Sequence, residues 1–351
     1  MMYKRFSTFI LSSFLVTFVH AQFKESNSLF SFLNKEGKKV FILGEIHSSA
    51  ANPEILKDLL ERTSQSNESV NLFLEIGPSE AFLYNRFLAS GDTTLIDQTV
   101  YAGNFKEWRN FWRNLYSDSI RSKLTIRGFD FDRPAVFKYI LTQVIADNYP
   151  DLGPHLNDIT ELLSDPDFDT RHSSPFPNKE DKEFYIAITD IFYQKRTLLE
   201  QHLPKDISQL LQNLAENEVL QFGGNRDESI QKNIMRYVSS SSVESNVVLM
   251  GRGHADLSNN LAAKMIKKRA VFAVSVGLIL YHNSQILDSQ YEKVEDINEL
   301  NKKPWKKFTG LMPSEHEYTY FHTVGNLQQL DKYADFIIIA SNQRPLTWIN
   351  L

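Results

Sequence analysis

The chain has 351 residues, of which 42% are hydrophobic and 12% aromatic, and this composition is typical of a folded globular protein rather than a disordered one. It contains no cysteine, which excludes disulfides, thiolate metal sites, a cysteine nucleophile and a lipid-modified N-terminal cysteine. The formal net charge of −5 gives no reason to expect nucleic acid or an anionic membrane as a partner.

Residues 1–21 have the pattern of an export signal. Lys4 and Arg5 form a short basic start, an apolar run follows from Phe6 to Val19, and Ala21 completes a small-residue cleavage site. The apolar run is shorter than the roughly 20 residues that a membrane-spanning helix needs. We therefore predict a periplasmic or secreted protein that is cleaved after Ala21 and keeps no membrane span. An uncleaved anchor is the alternative. Losing the two basic residues would take the net charge from −5 to −7.

Six short apolar runs predict strands that are buried on both faces, because each is a nearly continuous series of β-branched, Leu and Phe residues. Helical patterns separate them, as in "NPEILKDLLERT", where Asn52 is a predicted cap and Pro53 suits the first turn. This alternation predicts an α/β fold with a mainly parallel central sheet flanked by helices. The predicted strands are Val40 to Leu43, Val70 to Leu74, Leu124 to Phe129, Val247 to Met250, Val271 to Leu280 and Phe336 to Ala340.

A helical insertion is predicted in the middle of the chain. Between about residues 134 and 220 the strand pattern disappears and helical periodicity replaces it, interrupted by a loop rich in Pro, Asp and Ser. We interpret the segment as part of a single domain of residues 22–351, covering one region of the sheet. The segment from Asp288 to His316 is polar and rich in lysine, and its pattern predicts no particular structure.

Polar side chains follow four of the predicted strands at the point where each strand ends. In open α/β sheets, loops from different strands converge beyond the carboxyl ends, and ligands bind in that crevice. We therefore expect these residues to line a site, although each of them alone is equally well explained as a helix cap or a solvated loop residue. They are Glu45 and His47, Glu75, Asp130 and Asp132, and Arg252, His254 and Asp256.

Two G-x-x-H sequences strengthen this expectation, since Gly44 to His47 and Gly251 to His254 each follow directly after an apolar strand. We predict that Asp132 and Asp256 are caps, and the role of Asp130 is left open. The sequence contains no G-x-S-x-G elbow, no H-E-x-x-H helix and no Walker loop, so the common serine hydrolase, zinc protease and nucleotide-binding motifs are absent.

Arg226 is predicted to face inward from the start of a helix. It shares one helical stripe with Ile230, Asn233 and Tyr237, and that stripe is otherwise apolar apart from the asparagine. An arginine is costly to bury without an anion or a carboxylate partner. Arg226 therefore either faces a site or forms a structural ion pair with a glutamate.

In their order and context, five motifs resemble those of the erythromycin esterase-like group. They are "LGEIH", "LFLEIG", "RGFDFDRP", "RDESIQKNI" and "GRGHADLS", and they span residues 40–258. The wider superfamily includes the Tiki and TraB proteins and the ChaN-type haem-uptake proteins. The helical insertion in the middle of the chain also resembles the esterases.

The resemblance implies an active site built from these strand ends. In it, Glu45 and His47 lie at the first strand end, Glu75 faces them, Arg226 reaches in from its helix, and His254 completes the cluster. The implied activity is hydrolysis of an ester, lactone or amide bond in a small molecule or peptide.

Two departures from the esterase pattern count against a macrolide as the substrate. Ser48 and Ser49 follow the first G-x-x-H sequence where the esterases usually continue with Gly. Ile230 stands where their R-D-x-x-M pattern has Met.

The predicted cluster is compatible with two hydrolytic mechanisms. Without a cofactor, His47 acts as general base on water, Glu75 or Glu45 orients its ring, and Arg226 stabilises the oxyanion. With a divalent metal ion, His47, Glu75 and His254 hold the ion, which lowers the pKa of bound water. Tiki-type relatives are regarded as metal-dependent and esterase-type ones largely are not, so both mechanisms stay open.

Two alternatives are not hydrolytic. The chain could bind haem or iron as the ChaN-like relatives do, or it could be a catalytically inactive scaffold. The ChaN-like relatives are typically lipid-anchored and lack a large helical insertion, whereas this chain has no cysteine and has the insertion. A hydrolase is therefore the favoured prediction.

Overall fold

A seven-stranded sheet lies at the centre of the described part of the chain, which comprises residues 27–65, 69–172, 178–221, 225–306, 308, 318–322 and 330–349 of a computed structural model. Its order is β3-β2-β4-β1-β5-β9-β8, and every pairing is parallel except the antiparallel pair of β8 and β9. The predicted mainly parallel α/β fold is therefore confirmed. The strands are β1 Lys39–Glu45, β2 Val70–Leu74, β3 Leu124–Gly128, β4 Ser245–Gly251, β5 Ala273–His282, β6 Ser284–Leu287, β7 Val294–Ile297, β8 Tyr318–His322 and β9 Phe336–Ser341.

Helices cover both faces of this sheet. Alternate residues of β1 belong to different cores: Phe41 and Leu43 pack on one side, and Val40 and Ile42 on the other. Burial on both faces is why the parallel strands are continuous apolar runs. The α-helices of the described residues are α1 Asn27–Leu33, α2 Ala51–Gln65, α3 Pro78–Ser90, α4 Thr93–Asp97, α5 Val100–Asn104, α6 Lys106–Ser117, α7 Pro134–Tyr139, α8 Ala146–Asn148, α9 Gly153–Leu163, α10 Phe168–Arg171, α11 Lys179–His202, α12 Lys205–Ala215, α13 Glu218–Gln221, α14 Arg226–Ser240, α15 Arg252–Ala255 and α16 Ala262–Arg269.

The predicted cap at the start of α2 is wrong. The helix begins at Ala51, and the hydroxyl of Ser49 accepts a hydrogen bond from its backbone N–H at 3.2 Å. The side chain of Asn52 turns away and donates to the carboxylate of Glu45 and to the carbonyl of Ile46. A buried carboxylate needs hydrogen-bond donors, and that requirement outweighs the local capping preference.

The predicted insertion is helical in the residues that the structure describes. It runs from α7 through the π-helix Ile140–Ile145 and on to α13, with the 3₁₀ turn Pro150–Leu152 between. Most of its buried residues join the core that α2, α3 and α6 form on one face of the sheet, whereas α14 and α16 cover the other face. The insertion therefore packs against one layer of the fold.

The loop that leads from β1 to α2 contacts two other segments. One is the antiparallel hairpin of β6 and β7, and the other is the segment after β9. Ser48 donates its hydroxyl to the carbonyl of Leu287 at 2.7 Å, and Ser49 forms a bridge with Pro345. Both serines are buried. The polar segment whose structure the pattern did not predict contains β7 and the 3₁₀ turn Glu299–Asn301 within its described residues.

No helix among the described residues is long and apolar enough to span a membrane. The predicted export signal, residues 1–21, lies outside the described residues.

Candidate functional site

The carboxyl ends of four neighbouring strands bring the predicted site residues together. β4 lies between β2 and β1 in the sheet, so Glu45 at the end of β1, Glu75 directly after β2 and Gly251 at the end of β4 lie close to one another. Asp130 follows the edge strand β3. Arg226 and His254 reach the same place from the first residue of α14 and from α15. The expected cluster is therefore present.

Glu75 is the centre of this cluster and its side chain is only 7% exposed. Oxygen Oε2 accepts a hydrogen bond from the backbone N–H of Gly251 at 2.6 Å and lies 3.7 Å from Nε2 of His47. Oxygen Oε1 accepts a hydrogen bond from Nη2 of Arg226 at 2.9 Å and lies 3.6 Å from Nε2 of His254. One buried carboxylate thus separates two imidazoles, neither of which is within direct hydrogen-bond distance of it.

His47 is held from behind by Glu45. Its Nδ1 forms a close contact with the buried carboxylate, so that Nε2 faces Glu75, and 33% of the side chain is exposed. Glu45 also accepts a hydrogen bond from Asn52, whose side-chain oxygen in turn accepts one from the hydroxyl of Tyr281 at 2.6 Å. These buried partners fix the orientation of the carboxylate and, through it, of the imidazole ring.

His254 is held in the same way by Asp227. Its Nδ1 lies 2.8 Å from an oxygen of Asp227, which also accepts a hydrogen bond from the backbone N–H of Ala262 at 2.9 Å. Asp227 was not among the predicted site residues, although it is the second residue of the motif "RDESIQKNI". Its position in the first turn of a helix that places Arg226 at the site is the signal that could have identified it.

Arg226 forms an ion pair with buried carboxylates, which was one of its two predicted roles, the other being to face a site. Its Nε donates to Asp130 at 3.1 Å and its Nη2 donates to both Asp130 and Glu75. The guanidinium carbon lies 5.1 Å from the centre of the Phe131 ring. The side chain is nevertheless 40% exposed, so it both neutralises two buried carboxylates and lies at the solvent boundary of the cluster.

The carboxylates change the protonation of His47. Burial by itself would lower the pKa of His47, but the charge and hydrogen bond of Glu45 and the charge of Glu75 outweigh it and raise the pKa to about 9. Burial raises the pKa of Glu45, with the charge of His47 acting in the opposite direction. Burial also raises the pKa of Asp130, against the hydrogen bond and charge of Arg226. At neutral pH the imidazole of His47 is therefore protonated.

The main chain of β4 comes close to the reactive groups because residue 251 is glycine. A Cβ atom there would lie 3.0 Å from Nε2 of His47 and 3.3 Å from Oε2 of Glu75. The absence of a side chain at Gly251 lets its N–H donate to Glu75 and leaves the space beside the imidazole open.

The other strand-end residues have structural roles. Asp132 accepts hydrogen bonds from the backbone N–H and the hydroxyl of Ser79 and so caps α3, and Asp256 accepts one from the backbone N–H of Ser258. Asp132 caps a helix as predicted, although that helix is distant in sequence. Asp256 is the C-cap residue of α15, and its carboxylate accepts its bond in the turn that follows, so it stabilises a turn rather than a helix start. Arg252 donates to Glu299 at 2.6 Å and to the carbonyl of Ile279 at 3.3 Å, and its positive charge opposes the rise that burial causes in the pKa of Glu45.

An aromatic wall borders the cluster on the His47 side. The ring of Tyr101 is 6.1 Å from that of His47, and the ring of Phe105 packs 5.5 Å from that of Tyr291 and 4.6 Å from that of Trp348. Trp348 is 45% exposed and donates its indole N–H to the carbonyl of Tyr291 at 3.2 Å. These rings can contact the apolar part of a bound molecule.

The proposed metal ligands do not surround one point. Within the described residues, no group of three or more His, Asp or Glu side chains is arranged to hold a metal ion. His47 and His254 face different oxygens of Glu75, and both of these oxygens already accept hydrogen bonds from Gly251 or Arg226. The side chains as arranged do not fit a metal ion, and the mechanism below uses none.

No protein-family model matches the sequence, and no curated protein matches it. Three solved structures share the fold along nearly the whole chain. A protein of Bacillus cereus is 13% identical with a TM-score of 0.63, and the match covers 91% of each chain. The erythromycin esterase EreC, in an open conformation, is 13% identical with a TM-score of 0.61 over 92% of this chain and 95% of its own.

The third structure, a succinoglycan biosynthesis protein, is 12% identical with a TM-score of 0.60, and the match covers 90% of each chain. At these identities the likeness is one of fold. The chain therefore has the fold of the structural group to which these three proteins belong.

Proposed function

We propose that the protein is an exported hydrolase of the erythromycin esterase-like type that uses water to cleave an ester, lactone or amide bond. The observation that carries this proposal is the pair of acid-held imidazoles, Glu45 with His47 and Asp227 with His254, whose Nε2 atoms lie 3.7 and 3.6 Å from the two oxygens of Glu75. Of two oriented imidazoles beside one open space, one can accept a proton from the attacking water and the other can donate a proton to the leaving group.

The raised pKa gives His47 a different role from the general base that the sequence predicts. As an imidazolium at neutral pH it can donate a hydrogen bond from Nε2 to a bound substrate, and so stabilise a developing oxyanion or protonate a leaving group. Glu45 stabilises the positive charge and holds the ring in place.

His254 is then the general base. Its Nδ1 donates to Asp227, which leaves a lone pair on Nε2 directed towards the cluster. In the proposed reaction, His254 takes a proton from water while the water oxygen attacks the carbonyl carbon. The bond from that carbon to the leaving oxygen or nitrogen breaks as His47 supplies a proton to the leaving atom.

Arg226 and Glu75 organise the charge of the site. Two of the guanidinium nitrogens are bound by Glu75 and Asp130, and no hydrogen bond joins the third, Nη1, to a described residue. Nη1 is the atom that can bind an anionic or carbonyl oxygen of the substrate. The fold shared with an erythromycin esterase supports hydrolysis as the reaction class, and the departures at Ser48, Ser49 and Ile230 favour a substrate other than a macrolide.

A panel of activated esters, lactones and dipeptides, assayed with purified protein, tests the proposal. We expect turnover of at least one class, with loss of that turnover in His254→Gln and His47→Gln. A wild-type rate abolished by a chelator and restored by a divalent ion would favour the metal-dependent mechanism instead.

The same protein is titrated with haem as a control for the haem-binding alternative. A Soret band at a stoichiometry of one, with no turnover across the panel, would contradict hydrolysis and favour haem binding. Neither turnover nor a Soret band would favour an inactive scaffold.

A further inference from the structure

A cavity lies outside the His and Glu cluster, between α3, the edge strand β3 and the helical insertion. Its volume is about 670 Å³, within the usual range for small-molecule sites. Phe82, Leu95, Val144 and Leu210 give it an apolar lining. None of the cluster residues lines it, so a ligand there would not touch the proposed catalytic groups.

Arg127 on β3 lines this cavity and lacks a counter-ion. Within the described residues its guanidinium has no salt bridge and no hydrogen bond, and the group that it faces is the ring of Tyr237, whose centre is 5.4 Å from the guanidinium carbon. Burial lowers the pKa of Arg127, which means that the protein environment disfavours its charge. A partly buried cation without an anion is costly unless a ligand supplies one.

A second guanidinium concentrates positive charge at the same place. Arg236 lies on the Tyr237 ring as well, with its guanidinium carbon 4.8 Å from the ring centre. Arg236 is neutralised by Glu216, at 3.2 Å. Both cations lie on this ring, but only Arg127 lines the cavity. Among the described residues it is also the one of the two without an acidic partner.

The remaining charges of the cavity limit the charge of the ligand. Arg86 is paired with Asp206 at 2.8 Å, so these two cancel. Asp92 and Asp147 also line the cavity, and both are exposed. These two exposed carboxylates repel a dianion such as phosphate more strongly than a singly charged group.

We propose that this cavity binds a small organic monocarboxylate, with its carboxylate on the guanidinium of Arg127 and its apolar part against α3 and α12. A guanidinium binds a carboxylate through two parallel hydrogen bonds, which gives geometric as well as electrostatic selectivity. The cavity exceeds the size of acetate, so the preferred ligand has a body that reaches the apolar lining.

The test is binding of acetate, hexanoate, benzoate and inorganic phosphate to the whole protein, measured by calorimetry and by the shift in melting temperature. We expect saturable binding of hexanoate or benzoate, weaker binding of acetate, and no comparable binding of phosphate. Arg127→Gln should weaken binding about 10-fold to 100-fold, the usual loss for a charge-assisted hydrogen bond in a partly buried site.

Arg121→Gln is the matched control. Arg121 also lies over a tyrosine ring, 4.6 Å from the centre of Tyr116, but it is exposed and does not line the cavity. Arg121→Gln should bind the probe as the wild type does. Phosphate binding more tightly than the carboxylates, equal loss in the two arginine variants, or no saturable binding by a folded wild-type protein would each overturn the proposal.

Discussion

His47 lies between two carboxylates, and this position determines both its charge and its chemistry. A free imidazole is half protonated near pH 6.5, whereas the charges of Glu45 and Glu75 raise the pKa of His47 to about 9 against the effect of burial. The pH dependence of the reaction therefore separates the two roles that a histidine can have in this site.

If His47 is the proton donor, kcat falls as the pH rises through about 9, because the imidazolium loses its proton there. We expect this decline in a profile of kcat measured from pH 6 to 10, and we expect His47→Gln to lack it. A rate that rises through about pH 9 would instead identify His47 as the general base of the sequence prediction.

Replacing His47 with Ala should lower turnover about 100-fold to 10,000-fold, the usual contribution of a proton-transfer group. The variant should also lose some stability at neutral pH, because removing the imidazolium leaves the buried carboxylate of Glu45 without its ion-pair partner. His282→Ala is the control, since its Nδ1 contacts Asn298 at 3.0 Å, away from the cluster. Equal loss of turnover in both variants, or unfolding of His47→Ala, would mean that His47 is a structural residue.

Most side chains of the cluster could be predicted from the sequence because they occupy strand ends, and parallel strands end at the same edge. Asp227 follows Arg226 in the first turn of α14, which makes it a candidate, but only the position of His254, 27 residues away in the chain, distinguishes it from its neighbour Glu228. The charge of His47 was equally inaccessible, because it depends on the contact of its ring with the carboxylate of Glu45 and on the distance to Glu75, which follows another strand.

At the scale of elements, one buried carboxylate connects the insertion to the sheet. Tyr185 on α11 donates its hydroxyl to Asp132 at 2.7 Å, and Asp132 also caps α3 through Ser79. The insertion and the helix that follows β2 are thereby fixed to each other through the loop after β3. Weakening these hydrogen bonds should therefore lower the stability of the region beside the cluster.

Tyr185→Phe should lower the free energy of unfolding by about 0.5–1.5 kcal/mol, the net value of one buried hydrogen bond. Tyr193→Phe on the same helix should stay within about 0.5 kcal/mol of the wild type, because Tyr193 is 52% exposed. Urea denaturation of the two variants measures the difference. Equal midpoints would mean that the bond to Asp132 contributes nothing to the attachment of α11.

Protonation of Asp132 should stabilise the protein as the pH falls to about 4. Burial raises the pKa of Asp132 to about 6, against the hydrogen bonds from Ser79 and Tyr185. Because the folded pKa exceeds the ordinary value of about 3.9, the stabilising contribution is fully present below that value and is lost as the pH rises through about 6. The change in unfolding free energy between pH 4 and 7 should therefore be smaller in Asp132→Asn than in the wild type, and an identical change would contradict this.

The parallel strands were predictable because burial on both faces leaves a continuous apolar run, and all six predicted runs contain strands. Their ends shifted by at most two residues, as when β1 extends to Lys39 and Glu45. β6 and β7 escaped prediction because they are only four residues long and partly exposed, as is Val294 at 54%. The predicted cap at Asn52 was wrong because the local pattern of a helix start does not show that the buried carboxylate of Glu45 lies beside Asn52 and takes its hydrogen bond.

At the scale of the whole molecule, stability rests on two packed cores, one on each face of the sheet, in a chain without cysteine. Such a fold does not depend on the redox state of its compartment. It is therefore compatible with the export that the first 21 residues predict.

We propose that the chain is exported and cleaved between Ala21 and Gln22. A signal peptidase requires small residues at the cleavage site, and Ala21 meets that requirement after the apolar run that ends at Val19. Expression of the full chain in a bacterium with a secretion pathway should give an exported product whose N-terminus, determined by mass spectrometry, is Gln22. Ala21→Leu should block cleavage and retain the protein at the membrane. A soluble cytoplasmic product that keeps residues 1–21 would refute export, and with it an exported site of action for the hydrolase.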